Sequence, residues 1–243
     1  MILAKVNKYQ NIPQWKNYSE VLSSFPFGSF YLNTVISTVC RVFGQLVFCS
    51  MAAYAFAKIN FPAKNIIFLA LLSTLMVPYE VFMIAQYRII QLIQQLNLLN
   101  TLPALILPGL FSSFETFLLR QFFMTIPKEL SEVAILDGCN HFQIYYKIML
   151  PLAKPGLAAV AIFTALWSWN DLLWPLIVNS SRDKFTLSVG LLLIQGMQGT
   201  QTHVTNYSLL MAGSILAIWP MILLFIVLQN YFVEGIVLTG TKR

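Results

Sequence analysis

The sequence predicts an all-α, polytopic membrane protein, and three observations predict it. Only 10% of the 243 residues are charged while 58% are hydrophobic, with a mean hydropathy of +0.71. Soluble domains carry about 25% charged residues. Five apolar stretches are long enough for spanning helices, each of which needs about 20 residues to cross a bilayer. Between the third and fourth lies one long polar-rich run, residues 125–154, that reads as two short helices and not as a linker. The net charge of +6 is small for a nucleic-acid binder of this length. It fits Lys and Arg gathered on the cytoplasmic side of a membrane.

Taken in order, residues 1–27 are expected to form an extracytoplasmic segment. They are polar, carry Lys5, Lys8 and Lys16, and hold neither a span nor a signal-peptide core. The expected spans follow at residues 30–57, 66–84, 103–124, 156–178 and 208–232, within a membrane domain of residues 28–232. Five spans put the termini on opposite faces. Lys58, Lys64, Arg120, Lys128, Lys147, Lys154, Lys242 and Arg243 make eight basic residues on one face; Lys5, Lys8, Lys16, Arg88, Arg182 and Lys184 make six on the other, or three without the N-terminal tail. Short connections count most, so residues 125–154 and the tail, residues 233–243, are expected in the cytoplasm.

Within that loop, Pro127 suits a first helical turn, and Glu129 and Glu132 place negative charge at the positive end of the helix dipole. Asp137-Gly138 ends the helix, because Gly takes the left-handed cap conformation cheaply. Asn140 and Gln143 have the spacing of a capping box for a second helix, which Pro151 is expected to end. Leu130, Val133, Ala134 and Asp137 share one stripe of the first helix. Phe142, Tyr145, Tyr146 and Met149 form an apolar stripe on the second, expected to pack on the spans.

Other features have more than one reading. Arg41 lies inside a span, where a charge needs a partner, a wet path or an exit to the interface; packing or pairing is expected. Glu80 and Glu115 sit near helix breaks and read as interfacial charges. Ala53 with Ala57, Ala161 with Ala165 and Gly213 with Ala217 allow close helix approach within the chain or against a partner. Residues 86–100 carry a greasy face of Ile89, Leu92, Ile93 and Leu96, fitting a helix that leaves the membrane or lies flat on its outer surface. Trp167, Trp169, Asn170 and Asp171 suit either a headgroup-level anchor or a sugar pathway, since indoles stack on sugar C–H faces and Asn and Asp bond hydroxyls. Gln195, Gly196, Gln198 and Gly199 form a hydrogen-bond-rich external segment that reads from its residues as a surface turn. Cys40, Cys49 and Cys139 read as small buried hydrophobes, with no metal-ligand spacing. The run from Gly235 to Lys242 looks superficially like a phosphate loop, but no Lys directly follows its second Gly, Gly240. No nucleotide, cofactor or metal site is therefore expected in this chain, nor a nucleophile–base pair.

Glu132-Val133-Ala134, Asp137-Gly138 and Ile148-Met149-Leu150-Pro151 together resemble the EAA loop of type-I ABC importer permeases. LLRQFF at 118–123, WNDLLWPLIV at 169–178 and YFVEGIVLTGTK at 231–242 extend the resemblance over nearly the whole chain. It is nearest to the second membrane subunit of carbohydrate importers, those for maltodextrins, other oligosaccharides or glycerol phosphate. Val133 stands where that family usually has Ala, and the family usually has one more N-terminal span. The resemblance implies Glu129, Glu132, Ala134, Asp137, Gly138 and Pro151 as the coupling element for an ATPase. It implies a paralogous permease, two ATPase subunits that use ATP and Mg, an extracytoplasmic sugar-binding protein and membrane lipid as partners, and no nucleic acid; in similar permeases a loop at the position of Gln195, Gly196, Gln198 and Gly199 reaches toward that binding protein. A stand-alone secondary transporter would want an ion relay or inverted repeat, neither of which is visible. A truncated, non-transporting remnant is a third reading.

Overall fold

The computed structural model describes residues 14–92, 98–197 and 207–240, and among them every regular element is helical. A short helix α1 (Lys16–Ser24) leads into α2 (Phe27–Lys58), whose 32 residues reach about 48 Å at about 1.5 Å per residue. Helix α3 (Lys64–Ser73) and α4 (Tyr79–Leu92) follow, then α5 (Leu102–Ile106) and α6 (Ser113–Thr125). The polar run supplies α7 (Glu129–Leu136) and α8 (His141–Leu152). Helix α9 (Lys154–Asn170), α10 (Leu173–Val178), α11 (Leu187–Met197) and α12 (Tyr207–Gly240) complete the order.

Among the described residues two helices, α2 and Tyr207–Val227 of α12, are long and apolar enough to cross a membrane alone. Other expected spans are broken, for local reasons. Residues 66–84 do not form one straight helix: α3, with its 3-10 turn to Met76, meets α4 at 106°. Pro78 lacks an N–H and crowds the residue before it, and Val77 is accordingly extended at ψ 126°. Residues 103–124 bend by 43° after Leu107–Gly109, where Pro108 interrupts the ladder and Ser112 is extended. Residues 156–178 divide at Asp171, whose ψ of 115° separates α9 from α10. Helix α12 runs on through residues 233–240 of the expected tail.

Helix α2 is the centre of the packing. It lies against α6 and α9, while α9 also contacts α12. One core joins the loop to the spans: Cys49, Ala53 and Tyr54 of α2, Leu119 and Phe123 of α6, Ala134, Ile144, Tyr145 and Met149 of the loop, and Val160 of α9. A second core at the other end gathers Phe27, Phe30, Trp169, Leu187, Ile194 and Leu209. A third, around the fully buried Trp174, holds α4 and α5 on α10. The small-residue pairs serve these intrachain contacts. Ala53 and Ala165 have no exposed surface, and a Cβ added at Gly213 would sit 3.0 Å from Leu191 of α11.

Candidate functional site

Two places carry chemistry: the α7–α8 elbow and a polar face inside the spans. At the elbow, Lys128 accepts the first helical hydrogen bonds, from Ser131 and Glu132, so Pro127 stands just outside α7. The helix ends in a Schellman motif: Cys139 N–H donates to Ala134 at 2.9 Å and Gly138 N–H to Ile135 at 3.0 Å. Gly138 takes φ +81°, and a Cβ there would meet nothing within 4 Å. Backbone conformation alone therefore asks for glycine. Asn140 Oδ1 then accepts from Gln143 N–H at 2.8 Å while Gln143 Oε1 accepts from Asn140 N–H at 2.9 Å, a complete capping box.

The second helix departs from expectation. Pro151 does not end it; the helix continues to Leu152 and turns by 79° into α9. A π turn at Tyr145–Met149 precedes the proline, whose missing N–H disturbs the regular ladder there. The extra residue in that turn splits the expected apolar stripe. Tyr145 and Met149 are buried, with Tyr145 Oη 2.7 Å from Ser50 Oγ, whereas Phe142 and Tyr146 face outward.

The first helix splits likewise. Ala134 is buried, so its small size brings α7 close to the chain's own core and leaves it no surface for a partner. Leu130, Val133 and Leu136 are exposed beside Glu129, Glu132, Asp137 and Gly138, and Pro151 is exposed as well. Leu136 is 87% exposed, which outside the bilayer asks for a covering surface. An apolar knob with an acidic rim projects from a stem rooted in the spans.

Inside the spans, Asn33, Ser37, Arg41 and Gln45 recur every four residues on α2, and all are buried. Asn33 Nδ2 donates to the Asp183 and Phe185 carbonyls at 2.8 and 3.0 Å. Gln45 donates to the Gly109 carbonyl at 2.9 Å and accepts from Thr164 Oγ1. Arg41 donates to Asp171 Oδ2 at 2.9 Å and, through Nε, to the Leu105 carbonyl at 3.0 Å. Gly109 makes room, since a Cβ there would lie 2.7 Å from Arg41 Cδ. Asp171 Oδ1 also accepts from Trp174 N–H at 3.4 Å, so one carboxylate pairs Arg41 and starts α10. This polar face went unread apart from Arg41, although its spacing of four was visible in the sequence.

The four residues that suit either an anchor or a sugar path therefore part company. Trp169 is buried, its Nε1 donating to the Ala217 carbonyl at 3.1 Å and its ring edge-on to Tyr31 at 5.8 Å, so it packs within the chain. Asp171 is engaged by Arg41. Trp167, 72% exposed, and Asn170 remain on an outer face. Glu115 is buried, and its Oε2 has no hydrogen-bond partner among the described residues. Gln195 and Gly196 lie in the last turn of α11, with Gln195 exposed. Gln198 and Gly199 lie outside the described residues, as do 1–13 of the N-terminal segment, 93–97 of the amphipathic stretch and 241–243 of the tail.

The family model for "Binding-protein-dependent transport system inner membrane component" matches residues 45–237, which takes in the elbow, Asp171 and, of the polar face of α2, Gln45. The chain belongs to this family. As an inner-membrane transport component it is 41% identical to the arabinooligosaccharides transport system permease protein AraQ of Halalkalibacterium halodurans, over 89% of this chain and 75% of that protein. AraQ of Bacillus subtilis is 36% identical over 98% of this chain and 80% of its own length. The sn-glycerol-3-phosphate transport system permease protein UgpE of Yersinia pestis is 35% identical over 92% and 79%. Among solved structures, a chain of a bacterial ABC transporter involved in import of the acidic polysaccharide alginate superposes with a TM-score of 0.76 at 25% identity, covering 90% of this chain and 80% of that one.

Proposed function

We propose that this chain is one permease subunit of an ATP-driven carbohydrate importer, and that the α7–Gly138–α8 elbow is where the ATPase takes hold. The relatives named for arabinooligosaccharides and glycerol phosphate, and the alginate importer chain of like fold, support the substrate class and the direction. In this reading a paralogous permease completes the pathway, two ATPase subunits bind ATP and Mg, and an extracytoplasmic binding protein delivers the sugar.

The observation that carries the coupling role is the two-sided construction of α7. Its outward side offers Leu130, Val133 and Leu136 with Glu129, Glu132 and Asp137, while Ala134 on the inward side belongs to the same core as Cys49, Leu119 and Val160. A push on the knob reaches three spans through that shared core. Closure of the ATPase pair then rocks the spans as a body and changes which side the pathway faces.

The test is Leu136→Glu combined with Glu132→Lys, both on exposed positions. Membrane insertion should be unchanged, while co-purification of the ATPase and sugar-dependent uptake should both fall at least about tenfold, the effect of losing about 1.4 kcal/mol of contact. Uptake at the wild-type rate with the ATPase still attached would sink the coupling reading.

A further inference from the structure

Beside the elbow, and sharing Lys128 with the start of α7, lies a cavity of about 640 Å3. Its walls are the C-terminal end of α2, the turn into α3, the C-terminal half of α6 and Lys128. Four cationic side chains line it: Lys58, Lys64, Arg120 and Lys128. None is in an ion pair among the described residues, where the pairs found are Arg41–Asp171 and Asp183–Lys184. They lie near enough to act on one another. Lys64 feels the charges of Arg120 and Lys128, and Lys58 those of Lys128 and Glu129.

Three of the four are held in place by the chain itself. Lys58 Nζ donates to the Ile126 carbonyl at 2.6 Å and Lys64 Nζ to the Ile59 carbonyl at 2.8 Å. Arg120 Nε donates to the Phe56 carbonyl at 3.2 Å, with its guanidinium 4.1 Å from the centre of the Phe68 ring. An ammonium has three donors and a guanidinium five, so each keeps donors for a ligand. The turn that presents Lys64 is strained: Ala63 stands at φ 59°, a conformation that costs a non-glycine residue. The rim is apolar where the charges are not. Ile66 is 72% exposed and Met124 54%, and Ile67 and Leu69 continue that greasy surface along α3.

Fixed positive charges of one sign, an oily lip and a position at the end of spanning helices describe one ligand chemistry. We infer that the cavity binds the phosphate headgroup of an anionic phospholipid, with the phosphate among Lys58, Lys64, Arg120 and Lys128 and the acyl chains along Ile66 and Met124. Its placement in the inner leaflet rests on the orientation proposed above; the site itself does not. Basic pockets between spanning helices on the cytoplasmic side suit such headgroups, and each Lys or Arg at an anionic surface adds about fivefold to binding.

The experiment uses the full-length chain in detergent, with phosphatidylglycerol or phosphatidylcholine titrated in and bound lipid counted by native mass spectrometry. Phosphatidylglycerol should be retained in preference. Lys64→Gln with Lys128→Gln should weaken it roughly 25-fold, from about fivefold for each charge, while Lys64→Arg with Lys128→Arg keeps it. Arg182→Gln with Lys184→Gln, on the 3-10 turn before α11 at the opposite end, should change nothing. Equal retention of both lipids, or unchanged retention in the Gln pair, would overturn the inference. So would inorganic phosphate or glycerol 3-phosphate displacing the lipid at equal concentration, which would make the site one for a soluble anion. Loss of ATPase co-purification in the Gln pair with lipid retention intact would also overturn it, by assigning the cations to a protein partner. The readout is independent of uptake, so failure here and failure of the coupling reading are told apart.

Discussion

Removing the carboxylate of Asp171 tests whether the polar face of α2 holds the spans together. Arg41 is only 8% exposed, and in Asp171→Leu its guanidinium keeps the Leu105 carbonyl but loses its counter-charge. Stripping one partner from a buried pair costs about 3–5 kcal/mol. The lost acceptor for Trp174 N–H adds about 0.5–1 kcal/mol, the worth of a weak helix cap. Arg41→Met alone should cost a similar amount, because it strands the carboxylate. The double variant removes both charges and leaves chiefly the Leu105 carbonyl without a donor, at about 1–3 kcal/mol. It should therefore be more stable than either single variant, by about 2 kcal/mol or close to 30-fold. The measurement is an SDS titration in mixed micelles followed by tryptophan fluorescence. Single variants that each shift stability by less than about 1 kcal/mol, or a double variant no better than the singles, would refute the argument.

Two further outcomes follow from the elbow and from the indoles. Gly138→Ala should destabilise the elbow by about 1–2 kcal/mol through its positive φ, since the added methyl meets no neighbour; Gly138→Asn should cost less, and equal costs in thermal melts of the purified chain would contradict a backbone origin. Trp169→Phe should lose about 1 kcal/mol with its bond to the Ala217 carbonyl, while Trp167→Phe stays within about 0.5 kcal/mol, both read by the same SDS titration.

How much of this was legible in the sequence depends on which solvent the residue meets. The elbow is rich in polar residues, and its signals were local: Gly138 with positive φ, Asn140 with Gln143, the acidic first turn. Backbone needs dictate those residues, and they fell where the pattern put them. In lipid the usual guide fails. An apolar stripe points inward in water, but bilayer and protein interior are equally oily, so hydropathy could not separate buried Trp169 from exposed Trp167, two positions along the same helix. Arg41 was readable because a buried charge demands a partner, but the partner, 130 residues away, was not. Pro78 announced a break without its angle of 106°. Pro151 hid a π turn, and the buried face of that helix runs through Ile144, Tyr145 and Met149, leaving Phe142 and Tyr146 outside it.

Because Ala134, Ile144, Tyr145 and Met149 are sunk among side chains of the spans, the elbow is no interchangeable cassette. A chimera that grafts residues 125–154 from a relative transplants half of a jigsaw. It will seat only if Tyr54, Leu119, Phe123 and Val160, or matching shapes, travel with it. Swapping motors between transporters is then easier from the outside, by recarving Leu130, Val133 and Leu136 on the native stem, than by exchanging the loop whole.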